Sequence, residues 1–156
     1  MKSLVEKFYQ SFSDLNAEAM VECYHENIRF KDPGFGWLEG PRAGNMWRML
    51  LNSQKGKEFK VIFSDIEADD QTGKAHWEAF YTFSQTGRKV HNKIDAQFRF
   101  QDGKIIEHID HFNLWRWAGM AMGPTGYLLG WSGFFKNKLQ TQTNKLLSRY
   151  ESSLRA

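Results

Sequence analysis

The chain has 156 residues, of which 41% are hydrophobic and 15% aromatic, and its formal net charge is +3. This length suits one domain, and the apolar content excludes a disordered chain. The basic residues form no stripe before the C-terminus, so we expect no nucleic-acid partner. The single cysteine, Cys23, excludes an internal disulfide framework. Because the N-terminus has the pattern of an amphipathic helix rather than an apolar leader, we expect a cytoplasmic protein.

Apolar residues at helical spacing predict a first helix over residues 3–14, where Ser3 and Glu6 resemble a capping box. A second helix is predicted over 17–24, with Asn16 as its N-cap. A short strand over 28–31 then ends at an Asp-Pro-Gly break. A third helix is predicted over 42–54, just after Pro41.

Beyond Lys57 the apolar period changes from 3.6 to 2, which predicts four strands. Their alternating rows begin at Phe59, Trp77 and Val90, and the last strand covers 105–115. The three turns between these strands, DDQTG, SQTG and QDG, are short, and each contains Gly. Such turns indicate sequential antiparallel hairpins. Helices followed by a long meander predict an α+β fold, in which a curved antiparallel sheet wraps around the N-terminal helices as a cone with an internal pocket.

Two carboxylates stand out in apolar surroundings. Asp32 follows the first short strand, within NIRFKDPGFGWLEGPR, and Asp110 lies in the last strand, within DGKIIEHIDHFNLW. An acid in an apolar wall either has its pKa raised by desolvation or finds a hydrogen-bond donor, and both outcomes serve acid–base chemistry. The alternative for Asp32 is that it only begins a turn, as Asp before Pro-Gly often does.

The element order and these two segments resemble the nuclear transport factor 2-like (cystatin-like) superfamily, which includes ketosteroid isomerase, limonene epoxide hydrolase and the SnoaL-like polyketide cyclases. The resemblance covers about residues 3–115 and implies the cone fold. That fold hosts enzymes, carriers and transport factors alike, so it is less specific for function.

The resemblance to ketosteroid isomerase puts Asp32 at the position of the general base. The isomerase oxyanion Tyr position falls on Phe8, one step from Tyr9, and its oxyanion Asp position falls near Ala96, beside Asp95 on the opposite strand face. We therefore expect no such oxyanion hole. The final-strand acid of limonene epoxide hydrolase matches Asp110.

The hydrolase's partner acid and Arg would fall on the second long strand, which offers only His76 and Glu78 there. Alternation turns both of those side chains away from the cavity. The polyketide cyclases require an acid on the final strand and an apolar cavity, a requirement that Asp110 nearly meets.

The histidines are not expected to bind metal. His108 and His111 are three residues apart on one strand, so they face opposite sides and cannot share an ion. His108, Asp110 and Phe112 share a face, so that His108 can orient Asp110. The alternative is a half-buried histidine with satisfied hydrogen bonds and no role in chemistry.

The resemblance fades after residue 116, so we predict a nuclear transport factor 2-like domain over 1–116 and an extension over 117–156 that packs on it. Residues 117–135 are apolar but interrupted by Gly and Pro, which argues against a transmembrane span. We expect this segment to cover the mouth of the cone or a dimer interface. Residues 134–154 have the pattern of a basic amphipathic helix, which docks on its own domain or, as a less favoured alternative, contacts a membrane surface.

We expect a small-molecule-binding domain, either an isomerase-, cyclase- or hydrolase-like enzyme with a carboxylate base or a non-catalytic module for a hydrophobic ligand or protein partner. The candidate catalytic residues are Asp32, Asp110 and His108, with no cofactor and no metal. We expect a homodimer through the sheet face that no helix covers. This face carries a mixed row of polar residues, and a lone domain rarely leaves so broad a face uncovered. The candidate substrate-binding residues are Phe12, Trp47, Trp77, Tyr81, Asn92, Phe98 and Phe112.

Overall fold

A computed structural model describes all of residues 1–156. Three helices come first, interrupted by two strands: α1 (Lys2–Ser13), α2 (Ala17–Glu22), β1 (Tyr24–Asp32), β2 (Gly36–Glu39) and α3 (Pro41–Gln54). Four strands follow: β3 (Lys60–Ala68), β4 (Thr72–Phe83), β5 (Arg88–Gln101) and β6 (Lys104–His111). The chain ends in α4 (Leu114–Met122), α5 (Pro124–Leu129) and α6 (Gly133–Leu154).

The six strands form one sheet in the order β2-β1-β6-β5-β4-β3. The hairpins β3–β4, β4–β5 and β5–β6 are antiparallel, as the sequence predicts. One pair departs from the antiparallel expectation, because β1 lies parallel to β6. This pairing brings the end of β1, which carries Asp32, beside the strand that carries Asp110.

The core lies on the concave face of the sheet, where α1 and α3 supply aromatic side chains. In α1, Val5, Phe8, Tyr9 and Phe12 follow helical spacing and are buried. They pack with Trp47 of α3 and with Trp77 and Phe98 of the sheet. The α+β cone expected from the sequence is therefore confirmed.

Several predicted boundaries change. Met1, not Ser3, precedes α1, and no side chain caps this helix, so the predicted capping box is absent. Asn16 does cap α2, accepting a hydrogen bond from the amide of Ala19 at 3.1 Å. The helix α2 ends at Glu22 and β1 begins at Tyr24, and Tyr24, Ile28 and Phe30 of this strand are buried in the core.

The extension after β6 consists of three helices joined by short turns. α4 buries Trp117, Ala118 and Ala121 against β5, beside Val90. α6 packs on α3 and buries Leu147. None of these helices is both long enough and apolar enough to cross a membrane.

Candidate functional site

His108 stands at the centre of a buried chain of hydrogen bonds. Its Nδ1 lies 2.7 Å from the hydroxyl of Tyr24, and its Nε2 lies 2.9 Å from Oδ1 of Asp110. The indole of Trp47 donates to the Tyr24 hydroxyl at 2.9 Å. His108 is fully buried, and Asp110 is only 3% exposed. Parallel pairing of β1 with β6 and antiparallel pairing of β5 with β6 fix these residues in place.

The chemistry of the partners sets the direction of this chain. An indole N–H only donates, so the Tyr24 oxygen accepts from Trp47 and its own proton is free to go to His108 Nδ1. A neutral imidazole that accepts at Nδ1 carries its proton on Nε2, and that proton goes to Asp110. Burial also raises the pKa of Tyr24 well above its usual value, so its hydroxyl stays a donor at neutral pH.

Asp110 receives a second hydrogen bond on the same oxygen. The indole of Trp77 donates to Oδ1 at 3.3 Å, so both donors hold one side of the carboxylate. The other oxygen, Oδ2, has no hydrogen-bond partner within the chain. Two donors on one oxygen stabilise and orient the carboxylate while the second oxygen is left to accept a proton.

Asp32 lies at the end of β1, where its Oδ1 accepts a hydrogen bond from the amide of Phe35 at 2.6 Å. Burial raises the pKa of Asp32 to about 7, although backbone hydrogen bonds from Phe35 and Gly34 act in the opposite direction. The negative charge of Asp110 adds to the increase. Asp32 therefore begins a turn, and its side chain also has a raised pKa.

Helix α6 holds the loop that carries Asp32. Gln140 donates to the carbonyl of Pro33 at 3.2 Å, and Thr143 donates to that of Gly34 at 2.8 Å. Asn144 donates to the carbonyl of Phe35 at 2.8 Å and accepts from Arg42 at 3.0 Å. The C-terminal extension thus shapes the surroundings of Asp32, a role that the sequence pattern did not suggest.

The predicted lining residues fall into two groups. Phe12 and Trp47 lie in the core, where their rings are 5.0 Å apart and Trp47 is the first donor of the polar chain. Trp77, Phe98 and Asn92 are buried on the inner sheet face, and Phe112 is partly buried just after β6. Tyr81 accepts a hydrogen bond from the indole of Trp117 in α4 at 2.8 Å. Burial raises the pKa of Tyr81, and the negative charge of Asp32 adds to this increase.

The two positions expected to lack oxyanion donors are apolar in the structure. Phe8 is buried and packs edge-on against the ring of His108. Ala96 is buried opposite Asp110 in the register of β5 and β6. Asp95 lies on the outer sheet face, where it is hydrogen-bonded to His76 at 2.8 Å. It therefore takes no part in the interior site.

Sequence reasoning missed two tyrosines. Tyr24 was expected on α2, but it lies on β1 and faces the core, and a register shift between Tyr24 and Arg29 interrupts the alternation that Ile28 and Phe30 follow. Tyr9 is fully buried, and its hydroxyl has no hydrogen-bond partner within the chain. Burial raises its pKa well above the usual value, with a contribution from Asp110, so the hydroxyl remains protonated. Its position on the inner face of α1 follows from helical spacing, but its missing partner does not.

The outer sheet face carries a separate polar network. His76 and His91 both contact Glu78, at 3.2 and 2.6 Å. This face is where alternation placed His76 and Glu78. His111 is exposed while His108 is buried, as expected of residues on opposite faces. No group of three or more His, Cys, Asp or Glu side chains is arranged to hold a metal ion.

Two surface hollows lie away from the acids. One of about 660 Å³ lies between α1 and β3, and another of about 490 Å³ lies among α2, α3 and α6. Neither is lined by Asp32, Asp110 or His108. The expected ligand pocket around Asp32 and Asp110 is therefore not one of these two hollows. Aromatic side chains fill much of the cone.

The SnoaL-like domain family matches residues 5–108, about two thirds of the chain, so the chain belongs to that family and to the nuclear transport factor 2-like superfamily. No curated protein sequence matches it.

Solved structures agree on the fold. Bal32a, from a soil-derived mobile gene cassette, is 20% identical, with a TM-score of 0.64 over 76% of this chain and 93% of its own. A candidate polyketide cyclase from Xanthomonas campestris pv. campestris is 19% identical, with a TM-score of 0.61 and the same coverage. SalBIII, an epoxide hydrolase/cyclase-like enzyme of pyran ring formation in salinomycin, is 22% identical, with a TM-score of 0.59 over 72% of this chain and 90% of its own. The chain thus shares its fold with enzyme-like proteins of small-molecule chemistry.

Proposed function

We propose that this protein is a cofactor-independent acid–base enzyme, isomerase-, cyclase- or hydrolase-like, that acts on an apolar small molecule. The observation that carries the proposal is the directed chain of hydrogen bonds from Trp47 through Tyr24 and His108 to Asp110. In most His–Asp pairs the carboxylate orients the imidazole. Here both ring nitrogens of His108 are already hydrogen-bonded while Oδ2 of Asp110 is not, so the imidazole serves the carboxylate instead.

In this mechanism Asp110 is the general base. Its Oδ2 accepts a proton from a C–H group, a hydroxyl or a water molecule at the substrate, and its Oδ1 remains bonded to His108 and Trp77. His108 is a positioning residue, because it contacts Asp110 and not the substrate. This role follows from the order of donors and acceptors along the chain.

Asp32 supplies the complementary acid. With a pKa of about 7, a large fraction of this side chain is protonated at neutral pH and can donate a proton to a substrate oxygen. The negative charge of Asp110 contributes to that raised pKa of Asp32. Two carboxyl groups in different environments are a common basis for dividing acid and base roles.

The proposed substrate is apolar because the side chains around the two acids are. Trp77, Phe98 and Phe112 would contact its rings or chain, and Tyr81 and Asn92 would offer hydrogen bonds. Phe12 and Trp47 would support this wall from behind. The ring-forming activity named for SalBIII supports the reaction class without specifying this protein's substrate.

The test begins with a thermal-shift screen over steroids, polyketides, terpenoid epoxides and fatty acids. Each hit is incubated with the protein, and the products are followed by chromatography and mass spectrometry. Asp110→Asn should reduce turnover about a hundredfold or more, and Asp32→Asn at least about tenfold. Asp95→Asn is the matched control on the outer sheet face and should leave turnover unchanged. Equal turnover in Asp110→Asn would exclude Asp110 as the base.

The second candidate is a non-catalytic binding module for the same class of ligand. It is favoured by the apolar residues Phe8 and Ala96 at the positions where the isomerase has oxyanion donors. Under this reading, hits bind to wild type and to Asp110→Asn alike and are recovered chemically unchanged.

A further inference from the structure

An exposed group of large apolar side chains projects from the end of α5 and the start of α6. We call these five residues the apolar tip. Their exposed fractions are Tyr127 53%, Leu128 71%, Leu129 52%, Trp131 75% and Phe134 76%. Apolar patches of this kind on a folded domain mark a surface that binds something. Residues 117–135 were expected to cover the mouth of the cone or a dimer interface. These five side chains are not buried against their own chain, whereas Trp117 of α4 is.

The tip is held in place rather than left loose. The Trp131 indole donates to the carbonyl of Leu128 at 2.8 Å, and the Trp115 indole donates to that of Tyr127 at 2.9 Å. Gly126 lies directly against the backbone of Ala118, with no room for a Cβ, so α5 packs closely on α4. The exposed rings are therefore presented on a fixed platform.

Basic residues flank the tip. Residues 117–135 contain no charged side chain, whereas Arg116, Lys136 and Lys138 at their ends are exposed. None of these three makes an ion pair with the rest of the chain. Residues 114–156 have six basic and one acidic side chain, while residues 1–113 have fifteen basic and seventeen acidic ones. The net positive charge of the protein thus lies in its C-terminal extension, and Arg116, Lys136 and Lys138 are the part of it that flanks the tip.

We propose that the apolar tip inserts into the headgroup region of an anionic lipid surface. Trp and Tyr favour the membrane–water interface, and exposed Leu and Phe gain free energy by leaving water there. Lys and Arg beside them are attracted to anionic headgroups. A second copy of the chain is a poorer occupant, because two tips facing each other would bring Arg116, Lys136 and Lys138 close to their own like charges.

This contact differs from the amphipathic-helix contact considered for residues 134–154. The apolar side of α6 already faces the body of the protein, where Leu147 is fully buried, so that side is not free for lipid. No helix is long and apolar enough to span the bilayer. The association is therefore peripheral, and it uses neither Asp32 nor Asp110.

The test is cosedimentation of the full chain with vesicles of phosphatidylcholine alone and of phosphatidylcholine mixed with phosphatidylglycerol. Wild type should bind the anionic vesicles and bind the neutral ones much more weakly. The triple variant Leu128→Ser, Trp131→Ser, Phe134→Ser should bind about tenfold more weakly or worse. Lys136→Glu with Lys138→Glu should remove the preference for anionic lipid.

The matched control is the triple variant Trp37→Ser, Leu146→Ser, Leu154→Ser, which removes apolar side chains of intermediate exposure away from the tip. It should bind as wild type does, and thermal melts should show that both triple variants fold. No binding of wild type to anionic vesicles, or equal binding by the tip variant, would overturn the proposal. If sedimentation velocity instead shows that the tip variant converts a dimer into a monomer, the occupant is a second copy and the lipid proposal is wrong.

Discussion

At the scale of single residues, the two acids differ in how the protein stabilises them. Asp110 receives two hydrogen bonds on Oδ1, from His108 and Trp77. Asp32 receives backbone hydrogen bonds, but burial outweighs them and raises its pKa to about 7. Burial and the negative charge of Asp110 thus favour the protonated form of Asp32, which is the form that a general acid requires.

Asp32→Asn should stabilise the protein at high pH. A folded-state pKa of about 7, against an ordinary value of 3.8, means that the folded protein binds this proton more tightly than the unfolded chain. The resulting stability is fully present below pH 3.8 and is lost as the pH rises through 7. Asn does not titrate, so the variant's advantage should grow over that window to at most about 4 kcal/mol. Urea unfolding at both ends of the window measures it, and a pH-independent difference would contradict the raised pKa.

His108→Gln should be strongly destabilising. It disturbs the hydrogen bonds of Tyr24 and Asp110 in a fully buried position, and such losses cost about 2–4 kcal/mol. His111→Gln, three residues away on the exposed face, is the control and should change stability by less than about 0.5 kcal/mol. Chemical denaturation of both variants makes the comparison, and similar values for the two would show that the buried chain contributes little.

At the scale of elements, β1 and α6 together define the surroundings of Asp32. β1 ends at this residue, and α6 holds the following loop through Gln140, Thr143 and Asn144. The hydrogen bonds between α6 and the loop after Asp32 join residues 107 to 109 positions apart in the chain. No local pattern in the sequence could indicate them, because the three polar residues resemble the solvent-facing side of any helix.

Thr143→Val should loosen this loop. The variant loses the hydrogen bond to the carbonyl of Gly34, a change of about 1 kcal/mol. The amide of Phe35, which donates to Asp32, should then exchange its hydrogen faster. Thr141→Val is the control, because the Thr141 hydroxyl bonds only within α6, to Asn137. Equal exchange at Phe35 in the two variants would show that α6 does not hold the loop.

The predictability of the elements follows from how local their signals are. The hairpin at Asp102 and Gly103 was predictable, because an Asp-Gly pair suits a tight turn in which both residues have positive φ. Both residues have positive φ in the structure. The short strand β2 was missed, since four residues carry too little periodicity. α4 and α5 were missed because their Gly and Pro residues read as breaks. In fact, glycine at 119 and 126 lets the two helices approach closely.

At the scale of the whole molecule, the alternation of apolar and polar residues predicted which side chains face each side of the sheet. It did not predict which elements pack on those sides. The inner row was expected to face the core, and Trp77 and Ala79 are buried there. The polar chain through Tyr24 could not be predicted, because it depends on the parallel pairing of β1 with β6. Sequence-distant strands that meet in parallel leave no turn signal between them.

A homodimer through the outer face of β3, β4 and β5 remains our expectation. Ile62 is 41% exposed on this face, and Phe80 stacks on His91 at 4.0 Å. The double variant Ile62→Glu, Phe80→Glu should weaken the dimer by placing charges in its interface. Light scattering at micromolar concentration compares it with wild type. A monomeric wild type would contradict the expected dimer without affecting the site.

The coupled acids are most directly tested by a carboxyl-carbon NMR titration of Asp32 in wild type and in Asp110→Asn. The pKa of Asp32 should be about 7 in wild type. It should fall in Asp110→Asn, because a negative charge is removed, yet stay above its ordinary value, because burial is the larger cause. A wild-type pKa at or below the ordinary 3.8, or one that Asp110→Asn leaves unchanged, would contradict the proposed acid–base pair.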